Sequence, residues 1–173
     1  MNEQEFSQFY KNNLDKVFRF VYFRVDKTET AQDITSQVFL KYWQTNGESR
    51  EKIKNPQAFV YQIARHQIID FYRNQKTKTV SLEELAEQGV EIPQTSFAFK
   101  IELSFEMENL KKAIQRLKPE YSEVIIWHYI DNLSTKEIAE ILNKKENNVR
   151  VLLHRALETL KAQINTDKNT DKH

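Results

Sequence analysis

A chain of 173 residues can form one mid-sized domain or two small ones. Its 39% hydrophobic and 29% charged residues describe a globular chain, and the absence of Cys excludes disulfides, zinc fingers and thiol catalysis. With only 2 Gly and 3 Pro there are few tight turns for a β-sandwich or barrel, and neither a glycine-rich phosphate loop nor a dinucleotide fingerprint exists.

The net charge of +1 is unevenly spread. Residues 1–79 carry 13 Lys and Arg against 9 Asp and Glu, residues 80–105 carry 1 against 5, and residues 106–173 carry 12 against 11. This pattern points to local charged patches, since a non-specific nucleic-acid coat would be far more basic. The polar, acidic start "MNEQEFSQFY" is no signal peptide, and the apolar runs are too short to span a bilayer. A cytoplasmic chain with no direct membrane insertion is expected.

In chain order, residues 5–25 place Phe6, Phe9, Leu14, Val17, Phe18, Val21 and Val25 near helical period. Asp26 with Glu29 fits a capping box opening a second helix, "AQDITSQVFLKYW" (31–43), which should stop near Asn46-Gly47. The polar loop "ESREKIK" follows. Asn55-Pro56 then supplies a cap and a first-turn proline for a third helix reaching about Gln75. That helix is expected to bury Phe59, Ile63, Ala64, Ile68 and Phe71. Residues 1–78 thus read as a small aromatic-rich helical domain.

Residues 79–104 read as a flexible linker, with weak periodicity, Gly89, Pro93 and one helical turn at Leu82 to Ala86. An apolar clutch of Phe97, Phe99, Ile101 and Leu103 interrupts it. Helices resume at Phe105, with Leu110, Ala113, Ile114 and Leu117 on one face. Pro119 ends that helix and opens "PEYSEVIIWHYI", in which Trp127, His128 and Tyr129 are expected to pack the core of this second domain, 105–164. Residues 165–173 should be a disordered tail. The fold class is therefore all-α, two small helical domains joined by a flexible linker.

Residues 133–157, "LSTKEIAEILNKKENNVRVLLHRAL", carry the clearest chemistry. Ser134 with Glu137 forms a capping box, Ile138, Ala139 and Leu142 form an inner face, and Asn143 suits the left-handed position ending a helix. The second helix buries Val149, Leu153, Ala156, Leu157 and Leu160. It leaves Asn147, Asn148, Arg150, Val151, His154 and Arg155 outward or flanking, with Lys144 and Lys145 in the turn. This is a helix-turn-helix pattern. Asn can pair with adenine, Arg with guanine or phosphate, and Lys with the backbone. The same spacing also fits a helical hairpin whose charges only solvate it. At about 100° per residue, Val151 lies roughly 200° from buried Val149 and faces outward. There it can touch a thymine methyl or pack on a protein that masks the helix.

A second block, "NPQAFVYQIARHQIIDFYRNQKTK" (55–78), together with "AQDITSQVFLKYW", resembles the second-region helices of bacterial sigma factors. "LHRAL" (153–157) with its helix-turn-helix is similar to their fourth region. The two ordered blocks and the linker between them look like the extracytoplasmic-function (ECF) subgroup of the sigma-70 family. The resemblance implies a non-catalytic initiation subunit that binds core RNA polymerase, recognises the −35 and −10 promoter elements, and helps open the duplex. The implied partners are core polymerase (clamp helices of the largest subunit, and the flap), promoter DNA and an anti-sigma factor. No cofactor and no small-molecule substrate are implied.

By resemblance, Asp33, Gln37 and Lys41 form the polymerase-binding face of the second helix, while Ile34, Val38 and Trp43 belong to the core. The third helix matches the −10 reader, with Gln62, His66, Ile69, Arg73 and Lys76 opposite the core stripe and Arg65 and Tyr72 flanking. Basic groups would hold phosphates, and a pocket walled by "GESREKIKN" would capture an unstacked base. The −35 reader comprises Lys144, Lys145, Asn147, Asn148, Arg150, Val151, His154 and Arg155. The family often has Asn at position 66, Ser at 151 and Arg at 152, so the resemblance leaves the captured −10 base unassigned and implies that two polar −35 contacts are missing. Glu83, Glu84, Glu87 and Glu91 fit linker residues passing near the RNA path, or a merely solvated run. His66, His128, His154 and His173 lack metal-ligand spacing, and no catalytic triad stands out. Two further readings remain. One is a stand-alone helix-turn-helix regulator with an amino-terminal helical sensor. The other is a helical adaptor without nucleic acid.

Overall fold

The computed structural model describes residues 2–45, 52–77 and 105–170, which form seven α-helices and, among the described residues, no strand. Helix α1 spans Glu3–Tyr22, α2 Thr28–Gln44 and α3 Pro56–Thr77; α4 spans Phe105–Gln115, α5 Pro119–Ile125, α6 Thr135–Leu142 and α7 Glu146–Thr170. A five-residue π-helical turn, Ile126–Ile130, continues α5. The loop residues 46–51, the linker glutamates Glu83, Glu84, Glu87 and Glu91, and the clutch at Phe97, Phe99, Ile101 and Leu103 lie outside the described residues.

Local signals set most helix starts. At α1 a capping box joins Asn2 and Glu5, with both backbone-to-side-chain bonds at 2.9 Å. At α3 Asn55 Oδ1 accepts from the Ala58 amide at 3.0 Å, and Pro56 occupies the first turn. The Asp26–Glu29 box does not form. Lys27 is the N-cap of α2 and makes no side-chain cap bond. Asp26 instead lies in the α1–α2 connection, where its carbonyl accepts from Lys111 Nζ at 3.1 Å. At the other end of the chain α7 continues to Thr170, so residues 165–170 are helical where their polar composition predicted fraying.

The buried side chains form one continuous core that includes residues from both halves of the chain. Phe20 of α1 stacks on Trp127 of the π-helical turn, with centroids 5.0 Å apart and planes 13° apart. Tyr61 of α3 meets both rings edge-on, each at 5.6 Å. This junction explains several departures from sequence expectation. Trp127 is fully buried, but between the halves. Tyr129 is 51% exposed, and His128 is only partly buried, its Nδ1 2.9 Å from the Leu133 carbonyl. On α3, Val60, Tyr61 and Gln67 are buried, whereas Phe59, Ile63 and Phe71 are half-buried. The cause is that α3 is covered from two sides, by α1 and α2 and by α6. Trp43, expected in the core, is 36% exposed at the end of α2 against Phe6. Leu142 and Leu157 are half-buried, with Ile141 taking an inner position on α6.

Candidate nucleic-acid and polymerase interface

The α6–turn–α7 unit is built as its residues dictate. Glu137 donates its amide to Ser134 Oγ at 3.2 Å, and its carboxylate accepts from the Ser134 amide at 2.7 Å. The Ser134 amide and hydroxyl, both donating to that carboxylate, hold it below its usual range. Asn143 takes the left-handed conformation, φ 51° and ψ 45°, and the Lys144 amide caps the Ala139 carbonyl at 3.0 Å. Val149, Leu153, Ala156 and Leu160 anchor α7 inward. Lys144, Lys145, Asn147, Asn148, Arg150, Val151, His154 and Arg155 are all exposed on one side of the unit. Glu146 Oε1 accepts from both Thr135 and Arg150, each at 2.7 Å, so the guanidinium starts out tethered one turn back along its own helix. Such exposed i,i+4 pairs are weak and easily exchanged for a phosphate or a base edge.

The α3 residues are not gathered in this way. His66, Ile69, Arg73 and Lys76 are exposed. Gln62 and Arg65 turn into the other half of the molecule: Gln62 Nε2 donates to the Ile141 carbonyl at 3.1 Å and Arg65 Nε to Glu123 Oε1 at 3.0 Å. The Tyr72 hydroxyl donates to the Arg24 carbonyl at 2.6 Å, and burial raises its pKa. Gln62 is therefore not part of an open stripe, because α6 packs where the stripe would continue. On α2, Asp33, Gln37 and Lys41 are exposed along one face, as their spacing by four requires. Asp33 and Gln37 line a cleft shared with Gln67, Asp70 and Asn74 of α3. Leu40, which was not singled out from the sequence, is exposed beside them.

Two buried carboxylates hold the halves together, and sequence reasoning missed both. The Glu123 side chain is 3% exposed, and its Oε1 accepts from Arg24 at 3.1 Å and from Arg65 at 3.0 Å. Asp131 Oδ1 accepts from Arg19 Nε at 2.9 Å and its Oδ2 from the Tyr61 hydroxyl at 2.9 Å. Burial raises the Asp131 carboxyl to about 6 against the opposing pull of Arg19, and burial next to Asp131 raises the Tyr61 phenol. Asn55 Nδ2 donates to Glu140, and Gln115 Nε2 to the Val25 carbonyl at 3.1 Å. The available signal was two acids flanking an apolar run, "SEVIIWHYID" at 122–131. An acid embedded in such a run must find a partner or pay for burial. Among the described residues no cluster of three His, Asp or Glu side chains could hold a metal ion, and no helix is long and apolar enough to cross a membrane.

The amino-terminal helices and the α6–turn–α7 unit each match a known family description: sigma-70 region 2 over residues 9–78, and sigma-70 region 4 over residues 107–160. The chain belongs to the sigma-70 family. Among its relatives, the ECF RNA polymerase sigma factor SigM of Bacillus subtilis is 27% identical, covering 99% of this chain and all of SigM. The ECF sigma factor BldN of Streptomyces coelicolor is 28% identical over 90% of this sigma factor, which spans 58% of the length of BldN. In fold, this sigma factor is similar to RpoE of Bartonella quintana, solved with the anti-sigma factor NepR, at a TM-score of 0.68 and 21% identity. That match covers 95% of this chain and 99% of the other. CnrH, solved with the cytosolic domain of CnrY, matches at a TM-score of 0.67 and 18% identity, over 96% and 91% of the two chains. The resemblance read from the sequence is thus correct at the level of family and all-α fold.

Proposed function

We propose that this chain binds core RNA polymerase and directs promoter-specific initiation by reading the −10 and −35 elements and melting the duplex, under the control of an anti-sigma factor. The observation that carries this reading is the ordered pair of family regions in one chain, residues 9–78 and 107–160. In this role α7 lies in the major groove at −35. Arg150 and Arg155 contact guanine or phosphate, Asn147 and Asn148 contact adenine, and Lys144, Lys145 and His154 contact the backbone. On α3, Gln62, Arg65, His66, Ile69, Tyr72, Arg73 and Lys76 handle the −10 strand, and on α2, Asp33, Gln37 and Lys41 meet the polymerase. Residues 1–78 and 105–164 form the two working domains, with 79–104 linking them. The chain performs no catalysis, since phosphoryl transfer belongs to the polymerase, and it works in the cytoplasm.

In the form described above, Gln62 and Arg65 are occupied by Ile141 and Glu123. Reading of the −10 element therefore requires the halves to part. Parting is eased by imperfections in the junction: Glu123 Oε2 and Trp127 Nε1 are buried without a hydrogen-bond partner among the described residues. Each such atom costs about 1–3 kcal/mol in the closed form.

The test is reconstitution. The chain mixed with core polymerase should co-purify with it and drive transcription from promoters selected out of a random library. Tight operator binding by the chain alone, with no polymerase association, would instead establish the stand-alone regulator. Nothing supports the sensor that this alternative needs, because residues 9–78 match a sigma region.

A further inference from the structure

The recognition helix carries one apolar residue where its neighbours are charged or amide-bearing. Val151 is 51% exposed and lines an open groove of about 430 Å³ together with Glu120, Lys144, Asn148, Leu152 and Arg155. Asn148 is three residues before it and Arg155 four after, so the three side chains form one stripe along α7. At 1.5 Å rise per residue the stripe is about 10 Å long, which spans roughly three base steps at about 3.4 Å each. Leu152 is half-buried at the edge of the same groove and Leu153 faces the core, so Val151 is the one exposed side chain of the apolar run.

A lone branched side chain amid cations and amides is too small to be a protein-docking patch, which needs hundreds of Å² of contiguous apolar surface. It is the right size for a single methyl group. The major groove offers one such group, the 5-methyl of thymine, and an adenine read by an Asn is always paired to a thymine. We propose that Val151 is a specificity-determining residue that selects a thymine methyl in the −35 element, within about three base pairs of the base contacted by Asn148. Resting on the promoter-reading role above, this names one of the groups that the role recognises.

The probe is a −35 duplex selected from a randomised library by the full chain with core polymerase, in which each thymine is replaced singly by deoxyuridine. That change removes one methyl and leaves every hydrogen-bonding group in place. One position is expected to lose roughly fourfold in affinity, the loss that follows from exposing one methyl-sized group. In Val151→Ser the same replacement should cost nothing, while the other thymines behave as in the parent. Because Val151 is exposed, Val151→Ser should keep its helicity, and Val151→Ala gives a second series with an intermediate loss. If no thymine is methyl-sensitive, or if the sensitivity survives in Val151→Ser, the assignment is wrong. Loss of binding to a protein partner in Val151→Ser, with thymine and uracil equal in the parent, would overturn it in favour of a masking partner. A library that returns no −35 motif at all would defeat the promoter-reading role and this assignment together.

Discussion

The two candidate DNA-reading helices differ in what surrounds them. All eight of the α7-side residues are exposed, and the closest restraint on them is an exposed ion pair from Arg150 to Glu146. On α3, Gln62 and Arg65 are bonded across the junction, and Arg65 shares one Glu123 oxygen with Arg24. A carboxylate between two arginines makes the same kind of charge-assisted contact that a phosphate makes, so Glu123 competes for the guanidinium of Arg65. The difference teaches that, in the proposed roles, the α7 residues are available as folded, whereas Gln62 and Arg65 of α3 become available only after the halves separate. In the proposed role a duplex would be engaged first through α7, and strand capture by α3 would then draw on energy from polymerase and DNA contacts that replace the internal ones.

The largest expected effect comes from the aromatic junction. Trp127→Ala should destabilise the chain by about 3–5 kcal/mol, the usual cost of removing a buried aromatic. The measurement is chemical denaturation, with amide exchange read separately on α1 and α7. Because Phe20 stacks on Trp127, protection should fall in α1 as well as in α5 and α7. Loss confined to residues 105–170 would break the comparison, since the halves would then be independent.

Next is the carboxylate clamp. Glu123→Gln removes the charge that holds Arg24 and Arg65, at a cost of about 1–3 kcal/mol to the closed form, less than for a fully buried pair because Arg65 is 28% exposed. Binding of a single-stranded −10 oligonucleotide should strengthen, and binding of −35 duplex should stay the same. An equal change in both would show that the clamp does not distinguish the two readers. Arg150→Ala sharpens the other side. It should weaken −35 binding by roughly 1–3 kcal/mol on the selected sequence and leave polymerase association intact. An equal loss on every sequence would assign Arg150 to phosphate.

Much of this was legible in the residues. The helix starts at Asn55-Pro56 and Ser134–Glu137, the left-handed Asn143, and the outward face of α7 follow from local chemistry, which a single sequence displays. The spacing of Asp33, Gln37 and Lys41 likewise placed them on one exposed face. What was not legible depends on long-range packing. Phe20, Tyr61 and Trp127 read as members of separate helices, because nothing local says that residues 41, 66 and 107 positions apart in the chain will meet ring to ring. Gln62 falls on the polar side of α3 by helical angle, yet it is covered, because that side packs against α6. The Asp26–Glu29 box failed for a related reason: the tie from Lys111 to the Asp26 carbonyl holds that residue within the connection. Trp43 shows the limit of reasoning from size alone, since an aromatic at the last turn of α2 can pack tilted against Phe6 at the rim of the core and remain partly in water.

The smallest predicted effect concerns acidity at the junction. Asp131 is faced by Lys16 and Arg19 of α1, both of which favour its ionised form, and by the Tyr61 hydroxyl of α3, which Glu137 of α6 also faces. Burial outweighs the cations and sets its carboxyl at about 6, above the ordinary value. Between that ordinary value and about 6 the closed form holds a proton that the open form, with Asp131 in water, has released. By linkage, lowering the pH from 7 to 5 should shift the molecule toward the closed form, and raising it back through 6 should remove that contribution. Energy transfer between labels on exposed positions of α2 and α7 would follow the shift, and Asp131→Asn should flatten it. Opening on acidification would mean that the Arg19 ion pair, and not burial, governs the site. The −10 reader would then be released, not covered, in an acidified cell, while the −35 reader stayed exposed throughout.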